Sequence, residues 1–161
     1  MQKKTTRERA KFKREINKAL FQSEDIRDLL FGDTSQMTPD MIRNKFKTRV
    51  FSHLFVDETI EDADTFIFYD VIFPNLHEHT KRCQVHMYLI CHRDILNTYS
   101  RDGYYGDRID ILSEMVEDAL INDDNTVVKF GIGNLTLDEL MVYNTQRFYG
   151  VHLVFSVPSF R

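Results

Sequence analysis

The sequence predicts an α+β fold: a mostly antiparallel β-sheet with an N-terminal helix and one central amphipathic helix packed on it. Three observations carry this. Residues 83–120 run from a clean alternating strand through a glycine- and tyrosine-rich turn into an amphipathic helix. An aromatic and β-branched segment, TFIFYDVIF, precedes it at 65–73, and two more alternating segments follow it. The order is therefore helix, strands, helix, strands. Most neighbouring strands lack a crossover helix between them, which favours antiparallel pairing.

Each element has its own signal. Phe12, Ile16, Ala19 and Leu20 recur at helical spacing in a charged background and predict a first amphipathic helix. Ser23 is placed to cap a short second turn, SEDIRDLL, with acids early and Gly32 as its C′ residue. GDTSQMTPD is a loop by composition, and Thr38-Pro39-Asp40 opens another short helix through Phe46. The segment 65–73 is apolar on both faces and stops at Pro74, as expected of a strand covered on both sides. Cys83, Val85, Met87, Leu89 and Cys91 alternate with Gln84, His86, Tyr88, Ile90 and His92, giving one apolar and one mixed face.

Asp107 caps a helix over 107–121 in which Ile109, Leu112, Val116, Ala119 and Leu120 form one stripe, with Asp110 at capping-box spacing. INDDNTVVKFGIGN is a loop. Residues 135–143 and 148–157 read as two more strands, joined by a turn at 144–147. The second of them has Val151, Leu153, Phe155 and Val157 on one side.

The length of 161 residues fits one domain with a sizeable core. It divides into a basic helical region, 1–50, and a body, 51–161, holding the sheet and the helix 107–121. A charged fraction of 29% and a hydrophobic fraction of 42% are those of a folded globular chain. No apolar run reaches the ~18 residues of a membrane helix, and the basic N-terminus MQKKTTRERAKFKRE lacks the apolar core of a secretory signal. Cys83 and Cys91 lie eight residues apart on one strand, about 26 Å at full extension, too far for a disulfide. Both fit small buried hydrophobes in a reducing compartment, so synthesis in the cytoplasm is expected.

The formal net charge of −4 conceals a split. Residues 1–50 hold 13 Lys/Arg and 7 Asp/Glu, a net of +6, while residues 51–161 hold 8 and 18, a net of −10. A basic arm suits contact with nucleic acid or with an acidic neighbouring subunit. The acidic body argues against a main role in gripping DNA, because neutralising phosphates takes dense Lys/Arg.

Chemistry-like clusters fail on spacing. His77, His79, His86 and His92 match neither a helical HExxH pattern nor a Cys/His zinc pattern, and His86 and His92 share a strand face ~20 Å apart. The acidic segment DETIEDAD, 57–64, contains no glycine and so makes no EF-hand loop. Gly131-Ile132-Gly133 has no following Lys-Ser/Thr, and Gly103-Tyr104-Tyr105-Gly106 fits turn geometry better than a phosphate cradle. No nucleophile elbow is present. The expectation is no enzyme activity, no cofactor and no metal.

Three segments carry a family resemblance: SHLFVDETIEDADTFIFYDVIFPNL, GYYGDRIDILSEMVEDAL and NTQRFYGVHLVFSVPSFR. With the element order, they make the chain resemble the tail-terminator and head–tail connector (neck) proteins of long-tailed bacteriophages over about residues 50–161. The resemblance implies a sheet backed by helices and a homo-oligomeric ring, a hexamer in that group. Such a ring caps the tail tube, meets tail-tube and neck proteins, and lets double-stranded DNA pass without sequence-specific binding. It implies a virion location at the tail–neck junction, no membrane association and no catalysis.

Under that reading, Asp57, Glu58, Glu61, Asp62, Asp64, Asp123 and Asp124 are candidates for an acidic lumen or solvent surface. Arg14, Lys18, Tyr104, Tyr105, Arg108 and Arg147 are candidates for subunit contacts. The closest alternative is a neck or head-completion protein. Two further readings are a nucleic-acid-binding accessory protein using Lys3 to Lys18 and Arg43 to Arg49, and a metal-dependent hydrolase built on His77 and His79.

Overall fold

The computed structural model describes residues 5–56, 59–74, 76, 81–121 and 135–160. Three helices come first: α1 (Thr5–Gln22), α2 (Glu24–Phe31) and α3 (Pro39–Phe46). They lead to β1 (Val50–Phe51), β2 (Thr65–Ile72) and β3 (Lys81–His92), then a short 3₁₀ turn at Arg93–Ile95. The helix α4 (Arg108–Leu120) follows, and β4 (Thr136–Asn144) and β5 (Phe148–Phe160) close the fold. The α+β expectation holds. The strands form one mixed sheet in the order β1-β2-β3-β5-β4. Three pairings are antiparallel, and β1 joins β2 in parallel through Val50↔Ile67 and Phe51↔Phe68.

The caps form as their chemistry requires. Ser23 accepts from the Ile26 N–H, Thr38 accepts from the Met41 N–H with Pro39 at the first helical position, and Gly32 follows α2 at φ 71°. Asp107 accepts from the Ile109 and Asp110 N–H groups while the Asp110 carboxylate takes the Asp107 N–H, a complete capping box. Gly106, just before it, has φ 95°, and a side chain there would meet the Asp110 carboxylate.

Helices cover one face of the sheet. Ile16 and Leu20 of α1, Ile26 of α2 and Ile109, Leu112 and Val116 of α4 pack on Ile67, Tyr69, Val85, Met87, Leu89, Leu153 and Phe155. The stripe of α4 is wider than its spacing suggests, because Ile111 and Met115 are also buried, with α1 and α2 packed alongside the helix. A smaller cluster on the opposite face joins Phe66, Phe68, Ile90 and Phe148, with Phe51, Val56 and Ile60 against it. This second cluster explains why β2 is apolar on both faces.

The β2 end of the sheet is closed. Arg9 of α1 donates through Nε to the Val71 carbonyl at 2.8 Å and pairs with Asp70 at 2.5 Å, and Lys13 reaches Asp70 at 3.0 Å. The Tyr69 hydroxyl donates to the Lys13 carbonyl at 2.9 Å. Burial alone would raise the Asp70 pKa, but hydrogen bonds from Lys13 and the Val71 N–H, with the charges of Lys13 and Arg9, hold it below the ordinary carboxylate range. Among the described residues the β4 end has no such cover.

Candidate functional site

Two surfaces stand out. The first is a basic groove. The rings of Phe21 and Phe46 meet edge to face at 5.2 Å and lay α3 against α1. Two adjoining clefts of about 410 and 320 Å³ share Arg14, Asn17 and Lys47; Lys13 lines the first, and Lys18 and Arg43 line the second. No acidic residue lines either cleft among the described residues. Lys13 is occupied, donating to the Ser52 carbonyl at 2.9 Å and to Asp70. Arg43 has only an exposed pair with Asp40 at 3.3 Å, while Arg14, Lys18 and Lys47 are exposed and make no ion pair among the described residues. Lys13, Arg14 and Lys18 from the first basic run of the sequence and Arg43 and Lys47 from the second thus line one surface.

The second surface combines α4 and β4. On α4, Asp110, Glu114, Glu117 and Asp118 are exposed at i, i+4, i+7 and i+8, a single acidic stripe. On β4, the register sets Leu140 beside Leu153 and Val142 beside Val151, on the sheet face that carries α4. Yet Leu140 is 56% and Val142 64% exposed, because α4 packs on β3 and β5 and stops short of the last strand. Met141, pointing to the other face, is 42% exposed.

The histidines meet differently from their sequence spacing. His86 Nδ1 lies 3.0 Å from Nε2 of His152, His86 Nε2 lies 3.2 Å from Gln84 Oε1, and the His152 ring stacks on Tyr88 at 4.4 Å. Burial, then the proximity of His86, push the His152 pKa below its ordinary value, with Glu139 opposing. His92 is separate, edge-on to Phe148. No group of three or more His, Cys, Asp or Glu positioned to hold a metal occurs among the described residues. Cys83 and Cys91 are free and buried, and burial first of all pushes each thiol up to about 12, so both stay protonated.

The remaining candidates scatter. Asp64 is bound to Arg49 at 2.8 Å, and Glu61 and Asp62 are exposed. Asp57, Glu58, Asp123, Asp124, His77 and His79 lie outside the described residues. Tyr105 is 87% exposed, and Arg147 is exposed at the β4–β5 turn. Tyr104 and Arg108 turn inward. The Tyr104 hydroxyl donates to Asp25 at 2.6 Å; that bond first, then burial and the charges of Asp25, Asp118 and Glu114, push its pKa up to about 12. Arg108 donates to the carbonyls of Ile95 at 3.0 Å and Leu29 at 3.2 Å and lies over the Tyr99 ring. Arg101 completes the strap with Asp25 at 2.7 Å and Asp28 at 2.9 Å. Their polar groups hold the 93–107 segment to α2.

The pairing of His86 with His152 and the acidic stripe of α4 were the features hardest to find from spacing. Strand alternation puts His152 on the mixed face, but only the β3–β5 register brings it beside His86. The stripe is visible as the polar side of an amphipathic helix, though residues 57–64 are denser in acid.

Fold and surfaces together define a helix-backed, five-stranded α+β module whose β4 edge exposes Leu140, Met141 and Val142. The chain belongs to the YomW family, whose family model matches residues 14–157, from within α1 to within β5. This is a phage-associated family. No curated protein matches the chain, and no solved structure matches it.

Proposed function

We propose that this phage-associated chain is a structural protein of the virion. It is made in the host cytoplasm and acts at the head–tail junction. There it forms a homo-oligomeric ring that caps the tail tube, meets the neck, and lets DNA pass. The observation that carries this reading is the bare β4 edge. A nine-residue edge strand exposing Leu140, Met141 and Val142 is a liability in an isolated chain and an asset in one that is covered on assembly. The role needs no catalysis and no cofactor. It needs contact surfaces and a wall that does not hold the duplex, and a net charge of −10 over residues 51–161 suits such a wall.

Native mass measurement of the chain, alone and with tail-tube protein, tests the reading. A closed multiple of the subunit mass, formed alone or on the tube, is the expected result. A chain that stays monomeric with tube protein present overturns it. The basic groove favours one second reading, a nucleic-acid-binding accessory protein. That reading requires retardation of duplex DNA at low salt, lost when Arg14 and Lys18 are neutralised.

A further inference from the structure

We infer that the basic groove between α1 and α3 is the docking surface for the acidic face of α4 on a second copy of this chain. The inference rests on the ring reading and names the contact that builds it.

Strand addition cannot supply that contact from one copy to the next. The edge opposite β4 is the two-residue β1, and beyond it the Val71 carbonyl is already taken by Arg9. A blunt edge of this kind cannot receive a nine-residue strand. Pairing of β4 with that edge is thus excluded as the repeating contact, and two side-chain surfaces among the described residues are complementary. The groove presents Arg14 with Lys18 on α1, and Arg43 of α3 with Lys47 at its C-cap, each pair at i, i+4. The stripe presents Asp110 with Glu114 and Glu114 with Asp118 at the same pitch, about 5–6 Å.

Within one chain the stripe is a cost. Like charges at i, i+4 destabilise a helix, and Glu114, Glu117 and Asp118 make no ion pair among the described residues. Cations from another copy remove that repulsion.

Placement suits a contact that repeats. The helix α1 packs on β2, at one side of the sheet, whereas α4 packs on β3 and β5, toward the other. A groove-to-stripe contact is therefore heterologous, the kind that closes into rings. It also brings the neighbour's groove, floored by Phe21 and Phe46, toward the uncovered Leu140 and Val142. Apolar cover and charge pairing then come from one contact.

Charge exchange in the full chain tests this. One variant reverses the groove (R14E with K18E) and another reverses the stripe (E114K with D118K). All four positions are exposed, so both variants should melt like the wild type. At low salt, each variant alone should self-associate more than about tenfold more weakly than the wild type. An equimolar mixture should recover assembly, because each reversed surface then finds an opposite one. High salt should weaken wild-type and mixed assemblies alike. Variants that assemble as the wild type does overturn the docking contact and leave the ring reading standing. A wild type that never self-associates, with or without tube protein, overturns both. Loss of DNA retardation in the groove variant, with self-association intact, assigns the groove to nucleic acid instead.

Discussion

The two ends of the sheet are built to different rules. At the β2 end, alternate residues are buried on both faces: Ile67, Tyr69 and Val71 under the helices, Phe66 and Phe68 beneath the smaller cluster. The free edge there is closed by Arg9 and held by the Asp70 pairs. At the β4 end the pleat continues, with Leu140 and Val142 in register with core residues of β5, but among the described residues the helical layer has run out. Apolar side chains that would be core two strands earlier are left in solvent. A chain able to finish one edge so fully has the means to finish the other. The proposed assembly would account for this contrast by completing the β4 surface with a neighbour.

The largest expected effect sharpens this contrast directly. Ile67 is fully buried in β2, and Ile67→Ala should cost about 2–5 kcal/mol through lost burial and a residual cavity. Leu140→Ala removes a larger apolar side chain than alanine from an equivalent face of the sheet. In the isolated chain, however, it should shift stability by no more than about 0.5 kcal/mol. Denaturant unfolding of both variants, monitored for an unchanged slope, measures the difference. A Leu140→Ala cost equal to that of Ile67→Ala would show that β4 is already covered within one copy. Under assembling conditions the order should reverse for oligomer yield, with Leu140→Ala the more damaging change in chains that remain folded.

A smaller effect is expected at the closed edge. Arg9→Ala removes the donor to the Val71 carbonyl and one of the two cations on Asp70, and should cost about 1 kcal/mol. The ion pair contributes little of this, since the Arg9 side chain is 43% exposed. Arg9→Met keeps the aliphatic stem, so it separates packing from the polar contacts. Equal losses in both variants would assign the effect to the hydrogen bond and charge; an innocuous Arg9→Met would mean that the stem alone closes the edge.

Much of this fold is legible in the sequence because its signals are local. Ser23, Thr38 and Asp107 act as caps through hydrogen bonds to residues two or three positions on, so each helix start follows from a few letters. The alternation from Cys83 to Cys91 carries its own face assignment. What escapes reading depends on pairing between distant segments. Two residues of β1 hold no periodicity, and their parallel partner lies across a long connection. Gly150 looks like any strand glycine, yet a side chain there would collide with the Leu89 carbonyl and with Ile90 of β3. Arg14, Lys18, Arg43 and Lys47 are visible as charges, but the groove exists only because Phe21 meets Phe46. Tyr104 and Arg108 look available beside an exposed turn, while α2 supplies their partners from about 79 residues away.

The histidine pair lies between the two ends and gives the smallest effect, one that depends on pH. His152 has a pKa held below its ordinary 6.5 by burial and then by His86. The unfolded chain therefore binds a proton at that residue more readily than the folded one. Where the unfolded state binds more protons, stability rises with pH. The contribution is thus fully present above about pH 6.5 and is lost as pH falls through the lower, folded value. Between pH 7 and pH 5 the wild type should lose stability. His152→Gln, which keeps a polar partner for His86, should lose less over the same interval, as read from denaturant midpoints. The depressed Asp70 has the same sign but acts lower, because its window begins at the ordinary carboxylate pKa of 3.8. A wild type and a His152→Gln variant that decline in parallel from pH 7 to 5 would remove the pair as the cause. A loss confined to the variant would mean that the imidazolium is welcomed on this face, and that Glu139 outweighs both burial and His86.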